Sequence, residues 1–101
     1  MPSNKNPRLA TRAIHGHTGD DAYGSPYPPI YNTTTFGFDS TADLLDVIDG
    51  RTRGGLYTRY GLNPTIYALE ETLAGLESAE AAWVFSSGMA ALSALFLTHG
   101  R

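Results

Sequence analysis

The sequence predicts an α/β fold, because a helix, a short apolar run and a second helix follow one another along its C-terminal third. The first helix begins at Asn63-Pro64, an N-cap followed by proline at the first helical position, and it carries an apolar stripe with spacings of three and four residues. The run 81–85 does not alternate, which is typical of a strand covered on both faces in a parallel sheet. The helix expected over 88–97 is apolar nearly all round, so we expect it to be buried on most sides.

The part of the chain before this unit predicts an arm with two short helices. Glycine, proline and tyrosine dominate 16–32, and such a segment cannot bury itself, so we expect it to lie against another surface, a partner subunit being one. A short helix is expected after Pro7, an extended segment or short strand over 32–38, and a helix that Ser40 caps and Asp49-Gly50 ends.

Composition excludes several classes of function. A net charge of -3 and scattered arginines disfavour a nucleic-acid partner. The absence of cysteine excludes a disulfide framework, a thiolate metal site and a cysteine nucleophile, and it fits a reducing cytoplasm. No stretch resembles a signal peptide or a membrane span, so we expect a cytoplasmic protein without a membrane partner.

The junction between the apolar run and the last helix is the first candidate site. Ser86-Ser87-Gly88-Met89 reads as a turn from strand to helix, where first-turn N–H groups and the positive end of the helix dipole favour an anion such as phosphate. Considered alone, the turn is equally well a tight connection. The turn contains neither the P-loop pattern nor the dinucleotide-binding pattern. The nucleophile-elbow pattern of hydrolases, Gly-x-Ser-x-Gly, is incomplete, because the first glycine is missing here.

Two other groups of side chains are candidates for binding. Tyr57 and Arg59 place a phenol and a guanidinium on a glycine-flanked loop, a pair suited to gripping phosphate, although a packed tyrosine beside a solvated arginine is the simpler interpretation in isolation. His15 and His17, followed by Asp20 and Asp21, lack a recognised metal-ligand spacing, so we expect no metal site.

Taken together, the motifs resemble the start of the Cys/Met-metabolism pyridoxal-phosphate enzymes. This family includes cystathionine γ-synthase, cystathionine γ-lyase, methionine γ-lyase and the homoserine sulfhydrylases. The resemblance rests on five motifs in the family's order and approximate spacing: Ala10-Thr11-Arg12-Ala13-Ile14-His15, Pro28-Pro29-Ile30-Tyr31-Asn32-Thr33-Thr34-Thr35-Phe36, Tyr57-Thr58-Arg59, Asn63-Pro64-Thr65 and Ser86-Ser87-Gly88-Met89-Ala90. It implies a fold type I (aspartate-aminotransferase-like) enzyme, with 1–62 as the N-terminal arm or clamp and 63–101 as the start of a truncated cofactor-binding large domain.

The resemblance also implies roles for particular residues. The turn residues Ser87, Gly88 and Met89 would bind the phosphate of pyridoxal 5'-phosphate, whereas Tyr57 and Arg59 would grip the phosphate in the adjacent subunit of a homo-oligomer, a homotetramer in this family. Tyr57 would also assist catalysis. One departure is that Tyr60-Gly61-Leu62 puts three residues before Asn63, where the family commonly has two, and this affects how Arg59 is aimed.

The function that the resemblance implies is γ-replacement or γ-elimination on homoserine esters or sulfur amino acids. The chain's single lysine, Lys5, lies in a polar tail and is a poor catalytic amine. In the family the catalytic lysine, the ring-stacking aromatic residue, the aspartate at the pyridine nitrogen and the arginine for the substrate carboxylate all lie further downstream. We therefore expect the chain alone to be inactive, and the alternative is a non-catalytic remnant or interaction module that pairs with a full-length family member.

Overall fold

The computed structural model of the chain describes residues 8–16 and 21–100. Within these ranges the elements are α1 (Leu9–His15), α2 (Thr41–Ile48), a 3-10 helix (Thr58–Tyr60), α3 (Pro64–Leu76) and α4 (Gly88–His99). The four predicted helices are therefore present, and α4 continues two residues beyond the expected end at residue 97. None of these helices has the length and apolar character needed to cross a membrane. The predictions for Lys5, His17 and Asp20 fall outside the described residues.

Side-chain caps begin α2 and α3, as their sequences predict. The Ser40 hydroxyl accepts a hydrogen bond from the N–H of Asp43 at 3.1 Å, and the Asn63 side chain accepts one from the N–H of Thr65 at 2.8 Å. Each cap satisfies one of the N–H groups that the first turn of a helix leaves without an acceptor. Beyond α2, Gly50 adopts a left-handed φ of 75°, which ends the helix as expected.

Residues 21–33 form no helix or strand, in agreement with the expected extended arm. A turn begins this part of the arm, with the Asp21 carboxylate accepting hydrogen bonds from the N–H groups of Tyr23 and Ser25. The side chains of Tyr23 and Tyr27 are 98% and 61% exposed, so the described residues leave Tyr23 almost fully open and cover less than half of Tyr27. The predicted anchors are thus available for contact with another molecule.

The segment expected to be extended over 32–38 pairs with the loop before α3. Thr35 forms a single antiparallel bridge with Tyr57, and the flanking hydrogen bonds join Phe36 N–H to Leu56 O at 3.3 Å and Thr58 N–H to the carbonyl of residue 34 at 2.9 Å. This short pairing places the end of the arm beside the 3-10 helix.

The strand expected over 81–85 is not formed in the described residues. The segment is irregular, and Trp83, expected to be covered on both faces, is 76% exposed. A strand exists only through hydrogen bonds to a neighbour, and no neighbouring strand lies within 8–16 or 21–100. Instead a side chain of α3 holds the segment, because the Glu70 carboxylate accepts a hydrogen bond from the N–H of Val84 at 3.0 Å.

The expected burial of α4 is also wrong for this chain. No residue of α4 is buried, and Met89 and Leu97 are 70% and 86% exposed. Among the described residues, the buried ones are Ala68 and Asn63. The radius of gyration is 16.0 Å, compared with about 13 Å for a compact domain of 100 residues, so the helices do not gather around one core.

Packing between helices is confined, in the described residues, to α1 against α3. A guanidinium N–H of Arg12 donates to the carbonyl of Gly75 at 3.0 Å, near the C-terminal end of α3. This cation adds a donor to a carbonyl of the last turn that also accepts from the N–H of Ser78 at 3.4 Å, and it lies at the negative end of the helix dipole. The N-terminal helix α1 is thereby attached to α3.

Gly55 provides a test of the packing between the arm and the loop before α3. A Cβ at Gly55 would lie 2.7 Å from ring carbons of Phe36, which is too close for any side chain. We expect Gly55→Ala to lower the free energy of unfolding by about 1–3 kcal/mol, as overpacking does, measured by urea denaturation.

Gly37→Ala is the matched control, because no atom lies within 4 Å of the Cβ it would add. We expect that variant to unfold within about 0.5 kcal/mol of the wild type. Equal unfolding midpoints for the two variants would contradict the contact with Phe36.

Candidate functional site

Tyr57 and Arg59, here called the Tyr-Arg pair, contact each other through their side chains. A guanidinium N–H of Arg59 donates to the Tyr57 phenol oxygen, and the guanidinium carbon lies 5.1 Å from the centre of the Tyr57 ring. The Tyr57 ring in turn packs against Tyr60, with ring centres 4.9 Å apart. Because Arg59 is exposed and Tyr57 half-buried, the pair presents a positive charge and a phenol together at the surface.

The backbone of the loop fixes where this pair lies. Tyr57 is extended, with φ -150°, and Gly61 closes the 3-10 helix with a left-handed φ of 79°, a conformation that glycine adopts without strain. The Leu56 N–H donates to the Leu62 carbonyl at 3.0 Å, which closes the loop on itself. The additional residue between Arg59 and Asn63 is therefore accommodated within a closed loop whose glycine makes the reversal.

The serine turn provides a second set of hydrogen-bond donors. Ser87 caps α4 by accepting from the N–H of Ala90 at 3.1 Å, and its hydroxyl proton remains able to donate. Gly88 and Met89 occupy the first turn, where N–H groups have no acceptor within the helix. Ser87 and Met89 are exposed, so the turn offers N–H and hydroxyl donors at the positive end of the helix.

An open groove of about 760 Å³ runs between the 58–62 loop, α3 and the segment 83–86, and its wall includes Arg59 and Ser86. Tyr57 and the turn residues Ser87, Gly88 and Met89 are absent from that wall. The groove thus brings one member of the Tyr-Arg pair, Arg59, to the same wall as Ser86, the residue that precedes Ser87.

A hydrogen-bond network that the sequence motifs did not predict connects the loop to the arm. The Asn63 amide nitrogen donates to the Tyr31 carbonyl at 3.0 Å and to the Thr58 hydroxyl at 3.1 Å. The Thr65 hydroxyl accepts from the N–H of Tyr31 at 2.8 Å and donates to the Pro29 carbonyl at 3.2 Å. One signal was present in the sequence: a capping asparagine uses only its oxygen, so its two amide hydrogens need other acceptors.

Tyr67 lies on the groove wall with its phenol already engaged. Its hydroxyl donates to the Gly54 carbonyl at 2.9 Å, and the Arg53 guanidinium carbon lies 4.2 Å from its ring centre. Burial raises the pKa of Tyr67 above its ordinary value of 10.0, while the charge of Arg53 lowers this pKa and that of Glu70 raises it. The phenol therefore stays neutral and acts as a donor that holds the glycine loop against α3.

Comparison of the sequence with known protein families identifies the class of protein. The chain belongs to the family of Cys/Met metabolism PLP-dependent enzymes, whose sequence profile matches residues 10–100. Pyridoxal phosphate is thus the cofactor of its family.

Individual relatives include both lyases and synthases. The chain is 42% identical to the L-methionine gamma-lyase of Pseudomonas deceptionensis over 95 residues, which are 93% of this chain and 24% of the lyase. It is 46% identical to the L-methionine gamma-lyase of Porphyromonas gingivalis, over 84% of this chain and 21% of that enzyme. It is 48% identical to the cystathionine gamma-synthase of Mycobacterium bovis, over 81% of this chain and 19% of the synthase. The chain therefore spans about a quarter or less of the length of these relatives.

The donors described above suit the phosphate of this cofactor. A phosphate dianion accepts hydrogen bonds and carries negative charge, so it binds guanidinium groups, hydroxyls and helix N-termini well. The Tyr-Arg pair and the serine turn contribute groups of these kinds, and none of the five residues carries a carboxylate. Their chemistry therefore fits the group.

The pKa of Tyr67 leads to a prediction about stability at high pH. Between pH 10.0 and the higher pKa of the folded state, the unfolded chain loses the Tyr67 proton first, so the folded state binds more protons. The free energy of unfolding should therefore fall as pH rises through this window. Tyr67→Phe should remove this contribution, so that its stability declines less steeply above pH 10.0.

The measurement is urea denaturation at a series of pH values for wild type and variant. Tyr23→Phe controls for removal of a phenol at an exposed position. If wild type and Tyr67→Phe lose stability with the same slope, Tyr67 does not contribute to the pH dependence.

Proposed function

We propose that the protein containing this chain catalyses γ-replacement or γ-elimination on a homoserine ester or a sulfur amino acid. The observation that carries the proposal is identity of 42–48% over at least 81% of the chain to proteins named as a gamma-lyase and a gamma-synthase. The synthase is the more identical of the two and the lyase alignment is the longer, so similarity does not favour one outcome. The shared element of both names is reaction at the γ position.

The proposed cofactor site is shared between subunits. Ser87, Gly88 and Met89 bind the cofactor phosphate in their own subunit, while Tyr57 and Arg59 bind the phosphate held by a neighbouring subunit of a homotetramer. The accessibility of both sets supports this division, because accessible donors can reach a group held by another subunit. The exposed tyrosines of the arm supply apolar surface with which one subunit contacts the next.

Domain organisation follows the same division. Residues 1–62 form the arm or clamp that contacts the neighbouring subunit, and 63–101 begin the large domain that holds the cofactor. Support comes from the contrast between the irregular segment 21–33 and the regular helices α3 and α4. The apolar side chains of α4 that are exposed here are suited to packing within such a domain.

The residues of this chain bind and orient rather than carry the reacting electrons. When bound, pyridoxal phosphate supplies an electron sink for the carbanions that γ chemistry requires. The Ser87 hydroxyl and the first-turn N–H groups hold the phosphate, and Arg59 adds a charge-assisted hydrogen bond. Because Arg59 donates to the Tyr57 oxygen, the phenol proton of Tyr57 is directed elsewhere and is available for transfer at that atom.

Arg59→Ala in the protein expressed from its complete gene tests the Tyr-Arg pair. Loss of a charge-assisted hydrogen bond is worth about 1.5–3 kcal/mol, so we expect cofactor affinity to fall about 10- to 150-fold. The dissociation constant is measured by titrating cofactor-free protein and following the absorbance of bound pyridoxal phosphate.

Arg51→Ala is the control, since Arg51 is an exposed arginine that pairs with Asp46 and Asp49 instead. Affinity unchanged in Arg59→Ala would contradict the assigned role. Wild-type protein that binds no cofactor at all would instead favour a non-catalytic interaction module.

Ser87→Asp separates capping from phosphate binding at the serine turn. Aspartate caps a helix as well as serine does, so we expect the free energy of unfolding to stay within about 0.5 kcal/mol of wild type. The new carboxylate lies where the phosphate is proposed to bind, and its repulsion should abolish cofactor binding.

The comparison variant is Ser87→Ala, which removes the cap and should destabilise the fold by about 0.5–2 kcal/mol. Cofactor affinities and urea denaturation midpoints are measured for both variants. Wild-type affinity in Ser87→Asp would show that the phosphate binds elsewhere.

A further inference from the structure

The side chain between the two members of the Tyr-Arg pair points to a different set of partners. The Thr58 hydroxyl donates to the Thr33 carbonyl and accepts from the Asn63 amide nitrogen at 3.1 Å. Its backbone N–H also donates to the Thr34 carbonyl at 2.9 Å. The residue that joins the members of the pair is thus attached to the arm on one side and to the N-terminus of α3 on the other.

Asn63 is the most deeply buried residue in the described chain, with 2% of its surface exposed. Its oxygen accepts from the Thr65 N–H, and its nitrogen donates to the Tyr31 carbonyl and the Thr58 hydroxyl. A rotated amide would face the Tyr31 carbonyl with oxygen and the Thr65 N–H with nitrogen, so only one orientation satisfies all three groups. The amide is therefore a fixed point with neighbours on three separate stretches of chain.

Helix capping does not account for this arrangement. The cap requires only the amide oxygen of Asn63, whereas both amide hydrogens go to the arm and the loop. Thr58 is already attached to the arm by its backbone, and its hydroxyl bonds additionally fix χ1 of a stiff, β-branched side chain. Fixing this side chain also fixes the 3-10 helix that contains Arg59.

We propose that Thr58 and Asn63 are positioning residues. Through their hydrogen bonds, the position of the N-terminal arm determines the direction in which the side chains of the Tyr-Arg pair point. The inference rests on the proposed role of that pair in binding the cofactor phosphate of a neighbouring subunit. The arm and the pair then move as one unit, so contacts that the arm makes with the neighbour also set the direction of the Arg59 guanidinium. Neither Thr58 nor Asn63 contacts the cofactor in this scheme.

Two substitutions at Thr58 test the connection in the protein expressed from its complete gene. Thr58→Val keeps the branched shape and removes both hydroxyl hydrogen bonds, whereas Thr58→Ser keeps the hydroxyl. We expect Thr58→Val to raise the dissociation constant for pyridoxal phosphate about three- to tenfold, and Thr58→Ser to stay within about twofold of wild type. Pyridoxal, which lacks the phosphate, should bind equally to all three proteins.

A double-substitution cycle with Arg59→Ala shows whether Thr58 acts through the pair. If it does, Thr58→Val has no further effect on cofactor affinity in the Arg59→Ala background, because the group that it positions is gone. Independent action of the two residues, or equal weakening of pyridoxal binding, would overturn the proposal. These readings are dissociation constants and do not depend on turnover.

The cycle also separates this inference from the proposed function. Unchanged affinity in Arg59→Ala alone contradicts the proposed function itself. A normal loss in Arg59→Ala together with wild-type affinity in Thr58→Val overturns only the positioning role. Asn63→Asp adds an independent check, since it keeps the capping oxygen and removes both amide donors. Weaker binding of pyridoxal phosphate with unchanged binding of pyridoxal supports the positioning role. Unchanged binding of both compounds overturns it.

Discussion

The side-chain amide of Asn63 is the point at which the arm, the loop and α3 meet. One oxygen and two hydrogens engage three partners, namely Thr65 at the start of α3, Tyr31 in the arm and Thr58 in the loop. In a chain with few buried side chains, hydrophobic burial contributes little to holding these segments together. Directional hydrogen bonds at this buried position hold the segments together instead, and an amide group left without a partner there would lower the free energy of unfolding.

This dependence explains why an extended arm has a defined position near α3. Glycine loses more backbone freedom on ordering than any other residue, and the largely exposed Tyr23 and Tyr27 offset little of that loss through burial. Ordering is instead local to the points where Thr65 and Asn63 hold the Pro29 and Tyr31 backbone. The segment 21–33 is thus held at its C-terminal end, while Tyr23 and Tyr27 within it remain largely exposed.

Local features of the fold could be predicted from the sequence, and features that need distant partners could not. Ser40 and Asn63 were recognisable as caps because a cap involves residues two or three positions apart. The strand expected over 81–85 and the burial of α4 failed, because each needs surfaces that the described residues do not contain. At the candidate site, the resemblance to the family singled out Tyr57 and Arg59, whose side chains are in contact. The hydrogen bond from the Asn63 amide to the arm could not be predicted, because its acceptor, the Tyr31 carbonyl, is 32 residues away.

Different parts of the chain hold the two sets of donors that are proposed to bind the phosphate. The Tyr-Arg pair lies on a loop whose position depends on the arm, whereas the serine turn lies at the start of α4 and depends on its own cap, Ser87. Within one chain the two supports are linked through α3, because Asn63 caps this helix and its Glu70 accepts a hydrogen bond from the N–H of Val84. A neighbouring subunit adds a further constraint if it binds the arm, because the loop then follows the arm through Thr58 and Asn63. Cofactor retention and subunit contact become linked equilibria under this arrangement, so whatever loosens the arm also weakens the grip on the phosphate.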